Sequence, residues 1–508
     1  MATHDVTEYG AVGDGETDDT QALQSALHEC ADSGGRVVVP PGEYLTAPLV
    51  LGDDTTLAVE AGARVAFVQD FSAFPDAESR WEGWDQVGFH PCLRVDGAEN
   101  VRIEGGGTVD GQGAYWWDLV ATDEDDWPAG LAERVAAFRE RNEHADDVST
   151  FTLRPPLLQI SASENVSVTG VTLRDSPFWN THVVYSTDVT LTDLTVLNPP
   201  SAPNGDGIDV DSSRHVRISD CYIDAGDDAI CLKSGKDEPG REVGEPCAQI
   251  TVTNCTVEAG HGGVVIGSEM SGDVRDVTVT NCTFTGTDRG IRIKTQRGRG
   301  GVVEDLRFSN VQMRDVVCPF VVNGYYFMDI DGEPAPVDET TPDVRNVTVS
   351  HVTARNVASA AFLAGLPEHR FSNLVFEDVD IEATRTFEPG APDPSMAEGY
   401  RPTHGVFAKS LGEVTFRDVR IETRAGPAFR VEETDAVTLD GLTVVGDGAS
   451  PAVETRDVGE TTLADCDAGG RETLLAQAGD GGPVVVRGHG EAVRERLSLA
   501  DGATLEAR

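Results

Sequence analysis

Three carboxylates stand in short glycine-flanked motifs: Asp206 in Asn204-Gly205-Asp206-Gly207, and Asp227 with Asp228 in Gly226-Asp227-Asp228. Like charges held close together cannot all ionise, so one group keeps a proton while its neighbour stays basic. Cleavage of a glycosidic bond needs that pair of states, an acid for the leaving oxygen and a base or nucleophile at the anomeric carbon. A calcium site or plain surface acid would use the same residue types. His261 lies between glycines in Gly260-His261-Gly262, where backbone and imidazole can approach a ligand closely. Arg292 and Lys294 flank Ile293, and two-residue alternation puts both on one strand face. Two cations so placed ask for an anion. A sugar carboxylate answers, with arginine forking onto it and lysine adding a point charge, although a salt bridge to the aspartates would occupy them too.

These motifs sit inside a repeat. Short alternating apolar runs recur, among them Asn165-Val166-Ser167-Val168, Asp188-Val189-Thr190-Leu191, His215-Val216-Arg217-Ile218, Gln249-Ile250-Thr251-Val252, Asp276-Val277-Thr278-Val279, Asn346-Val347-Thr348-Val349 and Ala436-Val437-Thr438-Leu439. Their period of roughly 22 to 40 residues predicts a solenoid of stacked coils, an all-β parallel β-helix. Coils about 4.8 Å apart turn equivalent residues into ladders. Asp206 and Asp227 are 21 residues apart, close to one short coil, so the three carboxyls are expected on one strand face. Asn254, Asn281 and Asn310 fall at one repeat position, where amides can bond from coil to coil, and Cys221, Cys255 and Cys282 read as stacked inward thiols rather than metal ligands.

The whole chain, 1–508, reads as one such domain. Residues 1–60 hold an N-terminal cap and the first coils, in which Asp18-Asp19 precedes a helix-period stretch from Thr20 to Leu27 that would plug the solenoid's open end. Residues 114–155 break the pattern and predict an inserted loop and helix, the helix over Leu131 to Arg141. Beyond Gly446 the repeats fade, and 447–508 reads as C-terminal coils and cap.

Acidic residues outnumber basic ones by 87 to 39, the net charge is −48, and lysine occurs only at 233, 236, 294 and 409. Dense carboxylates with few lysines suit a surface kept soluble in concentrated salt, where the Debye length falls to ~3 Å at 1 M. No basic stripe offers itself to nucleic acid or an anionic membrane, and no apolar run reaches spanning length. The start Met1-Ala2-Thr3-His4-Asp5 has no signal-peptide pattern, which implies a cytoplasmic protein if Met1 is the natural start and a secreted one if the sequence is a trimmed form. Oligomeric state is left open. Nine cysteines cannot all pair internally.

Taken together, the four motifs resemble the polygalacturonases, glycoside hydrolase family 28. The opening Tyr9-Gly10-Ala11-Val12-Gly13-Asp14-Gly15, Arg80-Trp81-Glu82-Gly83, Gly106-Gly107-Thr108-Val109-Asp110-Gly111-Gln112-Gly113 and Asp175-Ser176-Pro177-Phe178-Trp179 extend the resemblance to about Tyr326. It implies a right-handed parallel β-helix and hydrolysis with inversion, without metal or cofactor. By motif, Asp227 would be the general acid, Asp206 and Asp228 would activate water, and His261 would support the acid. Arg292 and Lys294 would hold a galacturonate carboxylate, and Asn204 would orient Asp206. Gly205 stands where threonine or proline is usual and is expected to loosen the turn. His182, Lys233 and Tyr326 are further substrate-binding candidates. The implied partner is a galacturonate-containing polysaccharide or oligosaccharide. The insert and the Trp81 to Trp84 loop suggest exo attack, by walling off one end of the cleft. A rhamnogalacturonan hydrolase, a calcium-dependent pectate lyase and a non-catalytic glycan-binding β-helix are the alternatives, since fold alone does not choose among them.

Overall fold

The computed structural model describes residues 2–142, 154–387, 393, 395–446, 448–488, 495–501 and 503–507. Residues 143–153 of the expected insert, and parts of the expected C-terminal cap, lie outside the described residues. The chain divides into two compact units, Met1–His261 and Gly262–Arg508. The fold is a right-handed parallel β-helix, and coil stacking is evident within each unit.

In the first unit, Val166 and Val168 pair with Val189 and Leu191 one coil on, and Leu191 in turn pairs with Ile218. These residues are buried, while the residues between them are partly or fully exposed, which is the alternation read in the sequence. The first residue of each run is a corner. Asn165, Asp188, His215 and Gln249 all have φ between 54° and 60°. Asn and Asp enter this left-handed region most easily, because their short polar side chains bond locally. A second corner carries Asn254, whose Nδ2 donates to Asp220 Oδ1 at 3.2 Å, and in the second unit Asn310 Nδ2 donates to Asn281 Oδ1 at 2.6 Å. Cys221, Cys255 and Cys282 follow such corners, point inward and are buried.

Helix α1 (Thr20–Ser33) buries Ala22, Leu23, Ala26, Leu27 and Cys30 against strands Ala2–Asp5, Gly35–Val39 and Leu49–Leu51, closing the first coils as expected. Helices α2 (Ala114–Ala121) and α3 (Leu131–Arg141) form the described part of the insert. Leu131, Val135 and Phe138, spaced at helical period, are the buried face of α3. The tail does not lose the coil pattern: Val453–Arg456 pairs with Leu475–Ala478, and Glu460–Ala464 with Val484–Arg487. Among the described residues, no helix is long and apolar enough to cross a membrane.

The site rests on one sheet of the first unit. It contains β3 (Leu93–Asp96), β4 (Leu158–Ser161), β5 (Thr181–Val184), β6 (Ile208–Asp211) and β7 (Asp228–Lys233), each parallel to the next. An antiparallel hairpin of β1 (Asp76–Trp81) and β2 (Trp84–Phe89) forms a separate two-stranded sheet. In the second unit, β8 (Gly262–Gly267), β9 (Arg289–Lys294) and β10 (Cys318–Asn323) pair in the same parallel fashion.

Candidate active site

Asp206 and Asp228 lie where the chain enters β6 and β7. The two strands pair with Ile208 opposite Ile230, and Gly207 N–H donates to the Asp228 carbonyl at 2.9 Å, continuing that register. One coil is therefore 22 residues here. Asp206 meets Asp228 across the ladder rather than Asp227, one residue off the expected spacing. Both are buried, at 3% and 1% exposure. Their carboxylate oxygens and the Cys231 thiol lie within 4.8 Å of one another. Two carboxylates and a thiol do not make the all-oxygen shell that calcium requires.

Burial first, then the charges of Asp209, Asp227 and Asp228, holds the Asp206 carboxyl well above the usual carboxylate range, against the pull of Lys233. Asp206 thus retains a proton at a pH where isolated carboxyls have lost theirs. A carboxyl whose pKa is raised by folding contributes fully below its unfolded value of about 4, and that contribution is lost as pH rises through the folded value. Asp206→Asn should therefore melt higher than the wild type at neutral pH, with the gap closing under acid. Thermal melts at both pH values check it, and a variant less stable at neutral pH would refute the account.

Asp227 precedes β7 and is the most open of the three, its side chain 24% exposed. His261 Nδ1 lies 3.0 Å from Asp227 Oδ1, and the His261 N–H donates to the Asp227 carbonyl at 2.8 Å. The imidazole is half exposed, and one side-chain contact and one backbone hydrogen bond join His261 to Asp227.

Asn204 is held from outside the motif. Its Oδ1 accepts from Arg154 Nη2 at 2.8 Å, while Arg154 Nη1 donates to the carbonyls of Pro177 and Pro203, each at 2.6 Å. Arg154 is buried, and that burial brings its pKa down to about 9, with Asp206 and Glu82 opposing. Gly205 does not loosen the turn. A Cβ there would meet Ala202 Cβ at 2.7 Å and Ala202 O at 2.9 Å, so close packing requires glycine.

His182 is wholly buried. Its Nδ1 lies 3.1 Å from Gln159 Nε2, its ring meets Trp179 edge-on, and burial, aided by Arg80 and Lys233, pushes its pKa down to about 3. It is a neutral packing group in this structure, without an open face. Lys233, 4% exposed, lies 3.5 Å from Asp209 Oδ1 and 4.6 Å from the Trp179 ring centre.

In the second unit, Arg292 and Lys294 project from one face of β9, at 2% and 8% exposure. Tyr326 lies against both, its ring centre 5.5 Å from the Arg292 guanidinium carbon and 5.4 Å from Lys294 Nζ. Arg292 Nη2 also reaches Met396 Sδ at 3.1 Å.

Comparison with known proteins bears directly on this arrangement. The profile described as glycosyl hydrolases family 28 matches residues 137–391, which contain Asp206, Asp227, Asp228, His261, Arg292, Lys294 and Tyr326. The chain belongs to glycosyl hydrolase family 28. A second profile, rhamnogalacturonase A/epimerase, pectate lyase-like, matches residues 3–64 of this family 28 protein. The chain is 32% identical to a probable polygalacturonase of Vitis vinifera over 74% of its own length and 73% of that protein's. Among solved structures, an exopolygalacturonase from Thermotoga maritima superposes with a TM-score of 0.67 at 32% identity, over 75% of this chain and 87% of that one. A polygalacturonase from Erwinia carotovora gives 0.58 at 26% identity, over 73% and 92%.

Sequence reasoning missed several residues around this family 28 site: Arg154, Asp209, Cys231 and the Arg80–Asp211 pair. One signal was available. Polar residues alternate with apolar ones in Ile208-Asp209-Val210-Asp211 and again in Ile230-Cys231-Leu232-Lys233, which places a second polar row along the same two strands.

Proposed function

We propose that this protein hydrolyses α-1,4-galacturonosidic bonds in polygalacturonate or its oligosaccharides, from a chain end and with inversion. The observation that carries the reading is the buried Asp206–Asp228 pair beside the more open Asp227, which His261 holds at 3.0 Å. Asp227 donates its proton to the glycosidic oxygen as the bond to the anomeric carbon breaks. Water attacks the opposite face of that carbon and passes its proton to the Asp206–Asp228 pair, and the sugar leaves with inverted configuration. Arg292 and Lys294 bind the substrate carboxylate by charge-assisted hydrogen bonds, and Tyr326 offers a ring face beside them.

Exo attack is supported by what lies over the sheet. Gln159, His182 and Asp209 alternate with core residues and so face away from the core, yet each is 0% exposed. An internal stretch of polymer needs those rungs open, whereas a chain end does not. The exopolygalacturonase relative supports the same reading. A digest of polygalacturonic acid, followed by reducing ends and product size, tests it. Galacturonic acid as the sole early product is expected; a ladder of oligomers overturns exo attack, and unsaturated products overturn hydrolysis.

Adaptation to high salt belongs to this proposal. With a net charge of −48, the enzyme repels a polyanionic substrate, and ions screen that repulsion. Activity on polygalacturonate should rise as salt increases from about 0.1 M to about 1 M, where the Debye length shrinks from ~10 Å to ~3 Å. Highest activity at the low end would refute the adaptation while leaving the chemistry intact.

A further inference from the structure

The hairpin β1–β2 is an addition to the coils, and its attachment has no counterpart in the chemistry described above. Arg80, 2% exposed, donates from Nη1 to Asp211 Oδ1 at 3.0 Å and to Ser212 Oγ at 2.7 Å, and from Nη2 to the Gly83 carbonyl at 3.2 Å. Asp211 is wholly buried at the end of β6, the strand that Asp206 leads into. A buried charge pair between segments 131 residues apart fixes one on the other, because separating it leaves a charge without its partner in a dry site. Neighbouring contacts repeat the attachment. Gln159 Nε2 donates to Ser79 Oγ at 2.7 Å, Trp81 stacks on Phe178 with centres 3.9 Å apart, and Tyr185 Oη donates to Asp85 Oδ2 at 2.8 Å. At the tip, Lys236 N–H donates to the Gly83 carbonyl, and its ammonium lies 4.0 Å from the Trp84 ring centre.

We infer that Arg80 is a specificity-determining positioning residue: by pinning the hairpin to Asp211 it closes the sheet beside the catalytic aspartates and restricts attack to chain ends. The inference rests on the exo reading above. The hairpin is what buries the outward-facing Gln159, and Trp81 backs the Phe178–Trp179 pair that lies over His182 and Lys233. The rungs of Gln159 and His182 are the two that precede the strand Asp206 leads into, and Lys233 lies opposite Asp211 on the strand after it. With coils about 4.8 Å apart, the closed region begins about one sugar ring from the acids. Release of single sugars follows from that distance.

The test compares the wild type with Arg80→Ala, Arg80→Lys and Asp211→Asn, reading early product sizes and solution viscosity against reducing ends released from polygalacturonate. Arg80→Ala and Asp211→Asn should shift early products from the monosaccharide to mostly oligomers and drop the viscosity at low bond cleavage. Arg80→Lys, which keeps the charge, should restore part of the wild-type pattern. Gly83→Ala supplies a route that removes no buried charge, should the others fail to fold. Its φ is 81°, and a Cβ would meet Lys236 N at 2.6 Å, so the tip must lift and oligomers should again appear. Folded, active variants that still release only the monosaccharide overturn the role of Arg80. A wild type that itself yields a ladder overturns the exo reading instead.

Discussion

Asp227→Asn should lower kcat on polygalacturonate by a factor of about 10² to 10⁴, the range for losing a positioned general acid, with KM nearly unchanged. The substitution keeps the shape of the side chain and a polar atom for His261, so geometry survives and only the transferable proton is lost. Asp227 is the member of the trio with open access, whereas Asp206 and Asp228 lie 3% and 1% exposed behind it. Asp228→Asn should cost as much for a different reason, because it removes half of the pair that takes the proton from water. An aryl galacturonoside with an acidic leaving group separates the two roles. Its leaving oxygen needs little protonation, so the Asp227 variant should recover much of its rate on it, and the Asp228 variant should not. Recovery in the Asp228 variant instead would exchange the assignments, and full activity of Asp227→Asn on the polymer would remove it from the chemistry.

What could be read in the residues, and what could not, divides along the range of the interactions. The strands were legible because each coil must turn Val, Ile and Leu inward at every second position, as Val166-Ser167-Val168 and Val189-Thr190-Leu191 do. The corners were legible in their polarity but not in their geometry: Asn165 and Asp188 look like strand starts and are left-handed turns. Helix α3 followed from Leu131, Val135 and Phe138 at helical spacing, all local information. The coil length was read one residue short, since 22 residues rather than 21 set Asp206 opposite Asp228, the two that the resemblance grouped as activating water. Arg80 was visible only as part of a motif. Its partner Asp211 is 131 residues away, and no local pattern states that a hairpin leaves the coil stack and returns to cover it. Arg154 likewise reaches Asn204 from a segment 50 residues earlier. His182 carried a reactive type at a plausible spacing, but it is wholly buried, its ring edge-on to Trp179 and its Nδ1 3.1 Å from Gln159 Nε2 one coil back.

Replacing Arg292 by alanine should lower kcat/KM on polygalacturonate by about 10- to 100-fold, since a hydrogen bond to a charged group contributes about 1.5–3 kcal/mol. Lys294→Ala should act in the same direction. The side chains are 98% and 92% shielded from water, so a carboxylate reaching them meets cations in a weakly screened setting, where forked and point-charge contacts both gain strength. A smaller rate alone would not separate reading of the carboxylate from a general loss of packing, because Arg292 also touches Met396 and lies against Tyr326. The discriminating quantity is the preference for polygalacturonate over its methyl ester. The ester keeps the ring and the hydroxyls and removes the charge, so a site that recognises the anion favours the free acid, and that preference should collapse in both variants. Arg292→Lys should retain part of it, having the charge without the planar fork. If both substrates slow equally and the preference persists, the cation pair stabilises the fold around β9 and the carboxylate is recognised elsewhere.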